Sequence, residues 1–263
     1  IKQTMHVLSL AWSYMPHSWE IVCGNKKTPF EVFHNDELFI KVIEKRIKMG
    51  DNISDNGIRK MLKLFTGTQS VSNFRPTAAA AIYSLFCKEG DTVWDFSSGF
   101  GGRLIGAELA KVNYIGTDPS TLTYNGLIKL KKDYIKSIKS EIYKLGSEEF
   151  KPKEKSIDFI FTSPPYFNWE KYSNEETQSY KKFSSKEEWI NGYLFKTFQN
   201  CHYGLKDNSY MAINIANISI FKTLEEETIR IAEKAGFKLI DTWKLALSNP
   251  NMKNKESSFK YEP

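Results

Sequence analysis

Residues 91–110 read D-T-V-W-D-F-S-S-G-F-G-G-R-L-I-G-A-E-L-A, and this stretch decides the fold. Its first six residues are a short apolar run that predicts a β-strand. Three glycines follow in a polar turn, and residues 104–110 have the composition of a helix. Because glycines let the backbone approach a ligand closely and adopt positive φ, a strand, a glycine-rich turn and a helix in this order predict a nucleotide-binding βα unit.

The spacing of the glycines distinguishes between classes of ligand. The next apolar run ends at Asp118, where an acid is placed to accept hydrogen bonds from ribose hydroxyls. A dinucleotide fold needs a third glycine where Leu104 stands, and no phosphate-binding lysine of a P-loop follows. What remains is the pattern D-x-x-x-G-x-G, from Asp95 to Gly101.

A second motif lies at residues 158–166, which read D-F-I-F-T-S-P-P-Y. The apolar run predicts a strand, and the two prolines end it because proline has no N–H to donate to a sheet. The residue before each proline is held extended. The result is a stiff turn with a hydroxyl, fixed carbonyls and a flat ring, which suits a planar base with an exocyclic amino group. Taken alone, a Pro-Pro pair is equally well explained as a loop stiffener.

Together the two motifs resemble the class I amino-methyltransferases of the DNA type, which methylate cytosine N4 or adenine N6. Their catalytic motif is D/N/S-P-P-Y/F, and their cofactor is S-adenosylmethionine. The resemblance covers roughly residues 73–244. It implies an α/β fold with a doubly wound, mostly parallel, Rossmann-like sheet in residues 71–263. Residues 1–70 then form a small appendage, mainly helical.

The resemblance also implies the roles of individual residues. The catalytic motif stands here as Ser163, Pro164, Pro165 and Tyr166. The residues expected to bind the cofactor are Asp95, Ser97, Gly99, Gly101 and Asp118, with Phe74, Pro76 and Thr77 from a segment that in the family covers the cofactor methionine. That segment is also explained as a plain helix start with Pro76 in its first turn.

A serine at the first motif position favours cytosine N4 as the methylated atom, whereas Asp or Asn is more typical of adenine-N6 enzymes. An RNA or protein amine methyltransferase of the same fold remains an alternative. The expected partner is double-stranded DNA with the target base flipped out of the stack, in a restriction-modification setting. Sequence recognition is expected in residues 1–70, in the loop after Tyr166, after residue 248, or in a partner restriction or recognition subunit.

Composition narrows the class of protein further. A net charge of +6 and a pI near 8.9 permit nucleic-acid binding without demonstrating it. Three scattered cysteines suggest reduced thiols, and the four histidines lack ligand spacing, so no metal site is expected. No apolar run approaches the roughly 18 residues of a membrane span, and no signal peptide is visible. We therefore expect a cytoplasmic protein with no membrane partner.

The remaining periodicities predict further elements. Helices are expected at residues 38–48, 54–65, 78–87, 122–145, 187–203 and 224–235, and strands at 158–161, 210–215 and 237–245. Gly236 is expected to end the last helix. In the family a last hairpin strand follows the equivalent of residues 259–263, and we expect it to be missing here.

Overall fold

A computed structural model describes residues 4–65, 67–247 and 260–261. Its centre is a five-stranded, entirely parallel sheet in the order β4-β3-β2-β5-β7. The strands of the described chain are β1 Val22–Cys23, β2 Thr92–Asp95, β3 Asn113–Thr117, β4 Ser140–Tyr143, β5 Ile157–Thr162, β6 Glu170–Lys171, β7 Leu205–Ile213, β8 Ala246–Leu247 and β9 Lys260–Tyr261.

Helices cover both faces of this sheet, as the doubly wound fold requires. They are α1 Leu8–Ser13, α2 Pro29–Phe33, α3 Asp36–Lys48, α4 Asp55–Leu64, α5 Pro76–Phe86, α6 Gly102–Ala110, α7 Thr121–Tyr134, α8 Ser179–Lys182, α9 Lys186–Glu188, α10 Lys196–Gly204 and α11 Leu224–Lys234, with a 3₁₀ turn Pro16–Trp19 and a π-helical stretch Trp189–Phe195. No helix in the described ranges combines the length and apolar character needed to cross a bilayer.

The alternation of side chains along the strands divides the core in two. Val93 and Phe159 face a cluster formed with α5, α6 and α7, which contribute Tyr83, Leu104 and Leu127. The neighbouring residues Trp94 and Ile160 face the opposite cluster, which is formed with the π-helical stretch, α10 and α11. The predicted fold class is therefore confirmed.

The N-terminal region is helical, and α2, α3 and α4 enclose a small core of their own. Val32, Val42, Met61 and Leu62 are buried in it. The side chains of Asn35 and Ser54 cap α3 and α4 by accepting hydrogen bonds from backbone N–H groups. This region also contacts the rest of the chain, since β1 pairs antiparallel with β6.

Two of the predicted elements are wrong. The helix expected at 122–145 ends at Tyr134, and Ser140–Tyr143 is instead β4, which pairs with β3. The lysines of residues 135–145 continue the amphipathic pattern of α7, which favours a helix. Pairing with β3 overrides that local helix preference. The strand expected at 237–245 is absent from these described residues, where Leu239 and Ile240 are largely exposed.

The other elements lie within a few residues of their predicted positions. Gly236 follows α11 with φ +103°, as its predicted role in ending that helix requires. The possible recognition region after residue 248 and the segment 259–263 lie outside the described residues, except for β9, which pairs with β8.

Candidate active site

A cavity of about 540 Å³ lies at the carboxyl ends of the parallel strands, which is where open α/β sheets bind ligands. Each strand is followed by a segment that lines it. These segments include residues 97–100 after β2, Asp118 after β3, residues 146–148 after β4, residues 163–167 after β5 and Asn214 after β7. Since β2 and β5 are neighbours, the two sequence motifs lie side by side.

The glycine turn after β2 contains two glycines that serve different purposes. Gly99 and Gly101 have φ of +54° and +79°, in the left-handed region that disfavours other residues. A Cβ at Gly99 meets only the Ser97 carbonyl oxygen, 3.7 Å away, so that side of the turn is open. A Cβ at Gly101 would lie 2.6 Å from Leu130 Cδ2. Gly99 therefore keeps the backbone accessible from the cavity, whereas Gly101 allows the turn to pack on α7.

Asp118 is tied to the glycine turn. Its carboxylate accepts hydrogen bonds from the backbone N–H groups of Gly99, at 3.1 Å, and Ser120, at 3.0 Å. Burial raises the pKa of Asp118 to about 7, against these two hydrogen bonds, which lower it. Hydroxyl donors of a ligand would favour the ionised carboxylate, so this group is suited to hold a ribose.

Asp95 lies in the interior and is not among the cavity-lining residues. Its fully buried carboxylate accepts hydrogen bonds from Arg103 Nε at 2.8 Å, the Tyr114 hydroxyl at 2.7 Å and the Thr162 hydroxyl at 2.7 Å. Arg103 also donates to the Ser97 carbonyl. Asp95 therefore joins the end of β2 to the end of β5, directly before Ser163, and its side chain positions both motifs.

The S-P-P-Y turn is held by Asn214, the residue that follows β7. Asn214 Nδ2 donates a hydrogen bond of 2.9 Å to Ser163 Oγ, and the Asn214 backbone N–H donates to the Thr162 carbonyl, also at 2.9 Å. Pro164, Pro165 and Tyr166 line the cavity with Ser163. The next residue, Phe167, has φ +55°, a strained conformation for a bulky side chain that commonly occurs at functional sites.

The segment before α5 contributes one of its three predicted residues directly. Phe74 lines the cavity and packs edge-on against Phe161, with ring centroids 5.1 Å apart. Pro76 is buried at the first position of α5, and Thr77 hydrogen-bonds with Thr4; neither lines the cavity. The helix-start explanation thus describes Pro76 well.

Ser97 and Ser98 both line the cavity, and Ser97 Oγ lies 3.2 Å from the Tyr193 hydroxyl.

Several residues that line the cavity were not predicted from the sequence. Glu148 is buried after β4; one of its oxygens contacts Lys182 Nζ at 2.8 Å, and Oε2 has no hydrogen-bond partner among the described residues. The sequence would have indicated Glu148 as a site residue only if β4 had been recognised as a strand.

The loop after Tyr166 closes one side of the cavity. It is held by the pairing of Glu170–Lys171 with Val22–Cys23 and by Glu175, whose carboxylate accepts hydrogen bonds from the Thr121 backbone N–H and hydroxyl at 2.9 and 2.7 Å. The N-terminal region and α7 therefore both fix this loop, which presents Trp169 and Tyr180 to the cavity.

A family model described as DNA methylase matches residues 157–262. This stretch includes the S-P-P-Y turn and Asn214, and the similarity to that family covers less than half of the chain. No curated protein matches the chain.

Solved structures to which the chain is similar include the cyclopropane synthase MmaA2 from Mycobacterium tuberculosis, at TM-score 0.46 and 14% identity over 65% of this chain and 62% of that one. Another is a SAM-dependent methyltransferase from Aquifex aeolicus, at TM-score 0.40 and 19% identity over 63% of this chain and 90% of that one. A third is P. horikoshii TYW2 in complex with MeSAdo, at TM-score 0.43 and 14% identity over 67% and 58%. The chain spans less than two thirds of the length of the first of these proteins.

Proposed function

We propose that the protein is an S-adenosylmethionine-dependent DNA methyltransferase that methylates an exocyclic amino group. Cytosine N4 is the first candidate for the methylated atom. One observation carries the proposal. The glycine turn and the S-P-P-Y turn, which follow the neighbouring strands β2 and β5, line the same cavity. A methyl donor on the first turn would therefore lie beside an acceptor base on the second.

The residues present fit the cofactor at three points. The open side of Gly99 admits a ligand close to the backbone, and the Asp118 carboxylate is placed for ribose hydroxyls. Glu148 Oε2, a buried acceptor without a partner among the described residues, is available for an adenine amino group. When bound, S-adenosylmethionine supplies an electrophilic methyl group on its sulfonium.

The S-P-P-Y turn would prepare the acceptor amine. An amino group conjugated with its ring is a poor nucleophile, and acceptors that hold both of its protons free its lone pair. The hydroxyl of Ser163 and the carbonyl of Pro164 supply such acceptors, while the Tyr166 ring stacks on the base, worth about 1–3 kcal/mol. Transfer is then a direct displacement that depends mainly on alignment.

The choice of cytosine N4 rests on Ser163, because serine at this motif position is more typical of cytosine-N4 than of adenine-N6 enzymes. Adenine N6 is the second candidate, and an amine of RNA or protein the third.

We further propose that residues 1–70 form an appendage to a catalytic domain of residues 71–263. The appendage and the loop after Tyr166 both reach the cavity, through Trp12 and Trp169, which makes them candidate recognition elements beside a partner subunit.

Label transfer tests the substrate class. The protein is incubated with S-adenosylmethionine tritiated on the methyl group and, separately, with double-stranded DNA, RNA and a protein mixture. Label should enter DNA, and Tyr166→Ala should abolish most of it while S-adenosylhomocysteine still binds. Label that enters only RNA or only protein would contradict DNA as the substrate.

A further inference from the structure

Lys63, near the end of α4, lies between two indole rings. Its Nζ is 4.5 Å from the ring centroid of Trp12 and 4.6 Å from that of Trp19. Lys63 and Trp12 both line the cavity that holds the glycine turn and the S-P-P-Y turn. The N-terminal region therefore places a caged ammonium in the wall of the active site.

This ammonium has no acidic partner in the parts of the chain that the structure describes. Salt bridges there pair other lysines and arginines with carboxylates, for example Lys182 with Glu148, but none includes Lys63. Burial lowers the pKa of Lys63. Cation–π contacts offset part of that desolvation, yet the indole faces leave ammonium donors without an oxygen acceptor.

The cage lies on the glycine-turn side of the cavity. The ring of Trp12 packs against Phe100, the residue between Gly99 and Gly101, with centroids 5.4 Å apart. The donor end of the proposed cofactor, the end that carries an amino acid, would lie at this turn, whereas Asp118 would hold its ribose. The amino acid brings a carboxylate, which is the chemistry that a partly desolvated ammonium binds best.

We propose that Lys63, held by Trp12 and Trp19, is a binding residue for the carboxylate of the cofactor's amino-acid end. The inference rests on the proposed function, and it adds a residue of the N-terminal appendage to the cofactor site. Removing the appendage's cation should therefore weaken cofactor binding even though Lys63 is distant in sequence from both motifs.

Calorimetry with two ligands tests it. S-adenosylhomocysteine carries the carboxylate, and 5′-methylthioadenosine lacks the amino acid. Lys63→Met should weaken the binding of S-adenosylhomocysteine about tenfold, as the loss of a charge-assisted hydrogen bond predicts. It should leave the affinity for 5′-methylthioadenosine unchanged. Lys63→Arg, which keeps a charge that stacks on indoles, should bind nearly as the wild type does. Lys60→Met, an exposed lysine of the same helix, is the matched control and should change neither affinity.

Equal S-adenosylhomocysteine affinity in Lys63→Met and wild type would overturn the proposal, and so would an equal loss for both ligands. In a parallel titration with a duplex oligonucleotide, a loss of affinity confined to that ligand would assign Lys63 to a phosphate and overturn the carboxylate assignment. If Lys63→Met fails to fold, acetylation of wild-type lysines measured by mass spectrometry replaces it. S-adenosylhomocysteine should then protect Lys63 relative to Lys60 and methylthioadenosine should not; the same protection by both would overturn the inference. A wild type that binds no S-adenosylhomocysteine would contradict the proposed function itself.

Discussion

Asn214 holds Ser163 in place: its Nδ2 donates a hydrogen bond of 2.9 Å to Ser163 Oγ, while its backbone N–H donates to the carbonyl of Thr162. The Ser163 oxygen that accepts this bond still has a second lone pair for a ligand, and the bond holds the side chain in one rotamer. The end of β7 thus orients the first residue of the S-P-P-Y turn at the end of β5.

Asn214→Leu should therefore lower kcat by about 10- to 100-fold, because a loosely held acceptor loses alignment in the transition state. The Kd of S-adenosylhomocysteine should stay within about twofold. A double-mutant cycle with Ser163→Ala checks the mechanism, since Asn214→Leu should add little once the hydroxyl is absent. Fully additive losses would show that Asn214 acts elsewhere.

Asp118 should make cofactor binding pH-dependent. Its pKa is raised to about 7 by burial, and ribose hydroxyls donate to the ionised form. The affinity for S-adenosylhomocysteine should therefore rise about tenfold from pH 6 to pH 8 and then level off. Asp118→Asn should bind more weakly, with a flat profile. A flat profile in the wild type would contradict the role given to this carboxylate.

The same shift has a consequence for stability without ligand. Between pH 4 and pH 7 the native state retains on Asp118 a proton that the unfolded state has released. The contribution of Asp118 to the free energy of unfolding should therefore fall as pH rises through this window. Urea titrations of wild type and Asp118→Asn should diverge there, with the variant lacking that decline.

The ion pair between Arg103 and Asp95 should be important for folding. Their side chains are 6% and 0% exposed, so Arg103→Met leaves a buried carboxylate uncompensated and should destabilise by about 3–5 kcal/mol. Arg230→Met, which removes a more exposed pair with Glu227, should change stability by about 0–1 kcal/mol. Urea unfolding measures both, and similar losses would contradict the central position of Asp95.

The two glycines of the turn should respond differently to alanine. The Cβ added by Gly99→Ala faces open space, so this variant should fold, with a free energy of unfolding lower by about 1–3 kcal/mol because of the left-handed φ. It should nevertheless bind S-adenosylhomocysteine much more weakly. Gly101→Ala places Cβ 2.6 Å from Leu130 and should destabilise the fold more. Calorimetry and thermal unfolding separate the two effects, and unchanged ligand affinity in a folded Gly99→Ala would remove the glycine turn from the cofactor site.

How much the sequence could predict depended on the range of the interactions involved. The β2–turn–α6 unit and the turn at 163–166 are encoded by glycines and prolines, which act locally, so both were predicted at the right places. The strand β4 was not, because its residues extend a lysine-rich amphipathic pattern and become a strand only by pairing with β3. Glu148, which follows that strand, was missed with it.

Contacts between distant segments were also beyond the sequence. Nothing local shows that Asp95 turns inward to Arg103, Tyr114 and Thr162, or that Asn214 reaches Ser163. The cage around Lys63 joins three separate segments of the N-terminal region. Patterns identified the motifs, and the fold supplied the residues that hold them.

Identification of the methylated nucleoside tests the central claim most directly. DNA is incubated with the protein and S-adenosylmethionine carrying a deuterated methyl group, digested to nucleosides and analysed by mass spectrometry. The account predicts labelled N4-methyl-2′-deoxycytidine. Labelled N6-methyl-2′-deoxyadenosine would refute cytosine as the target while leaving the amino-methyl chemistry intact. Labelled 5-methyl-2′-deoxycytidine, or no labelled nucleoside at all, would contradict the transfer to an exocyclic amino group on which the account depends.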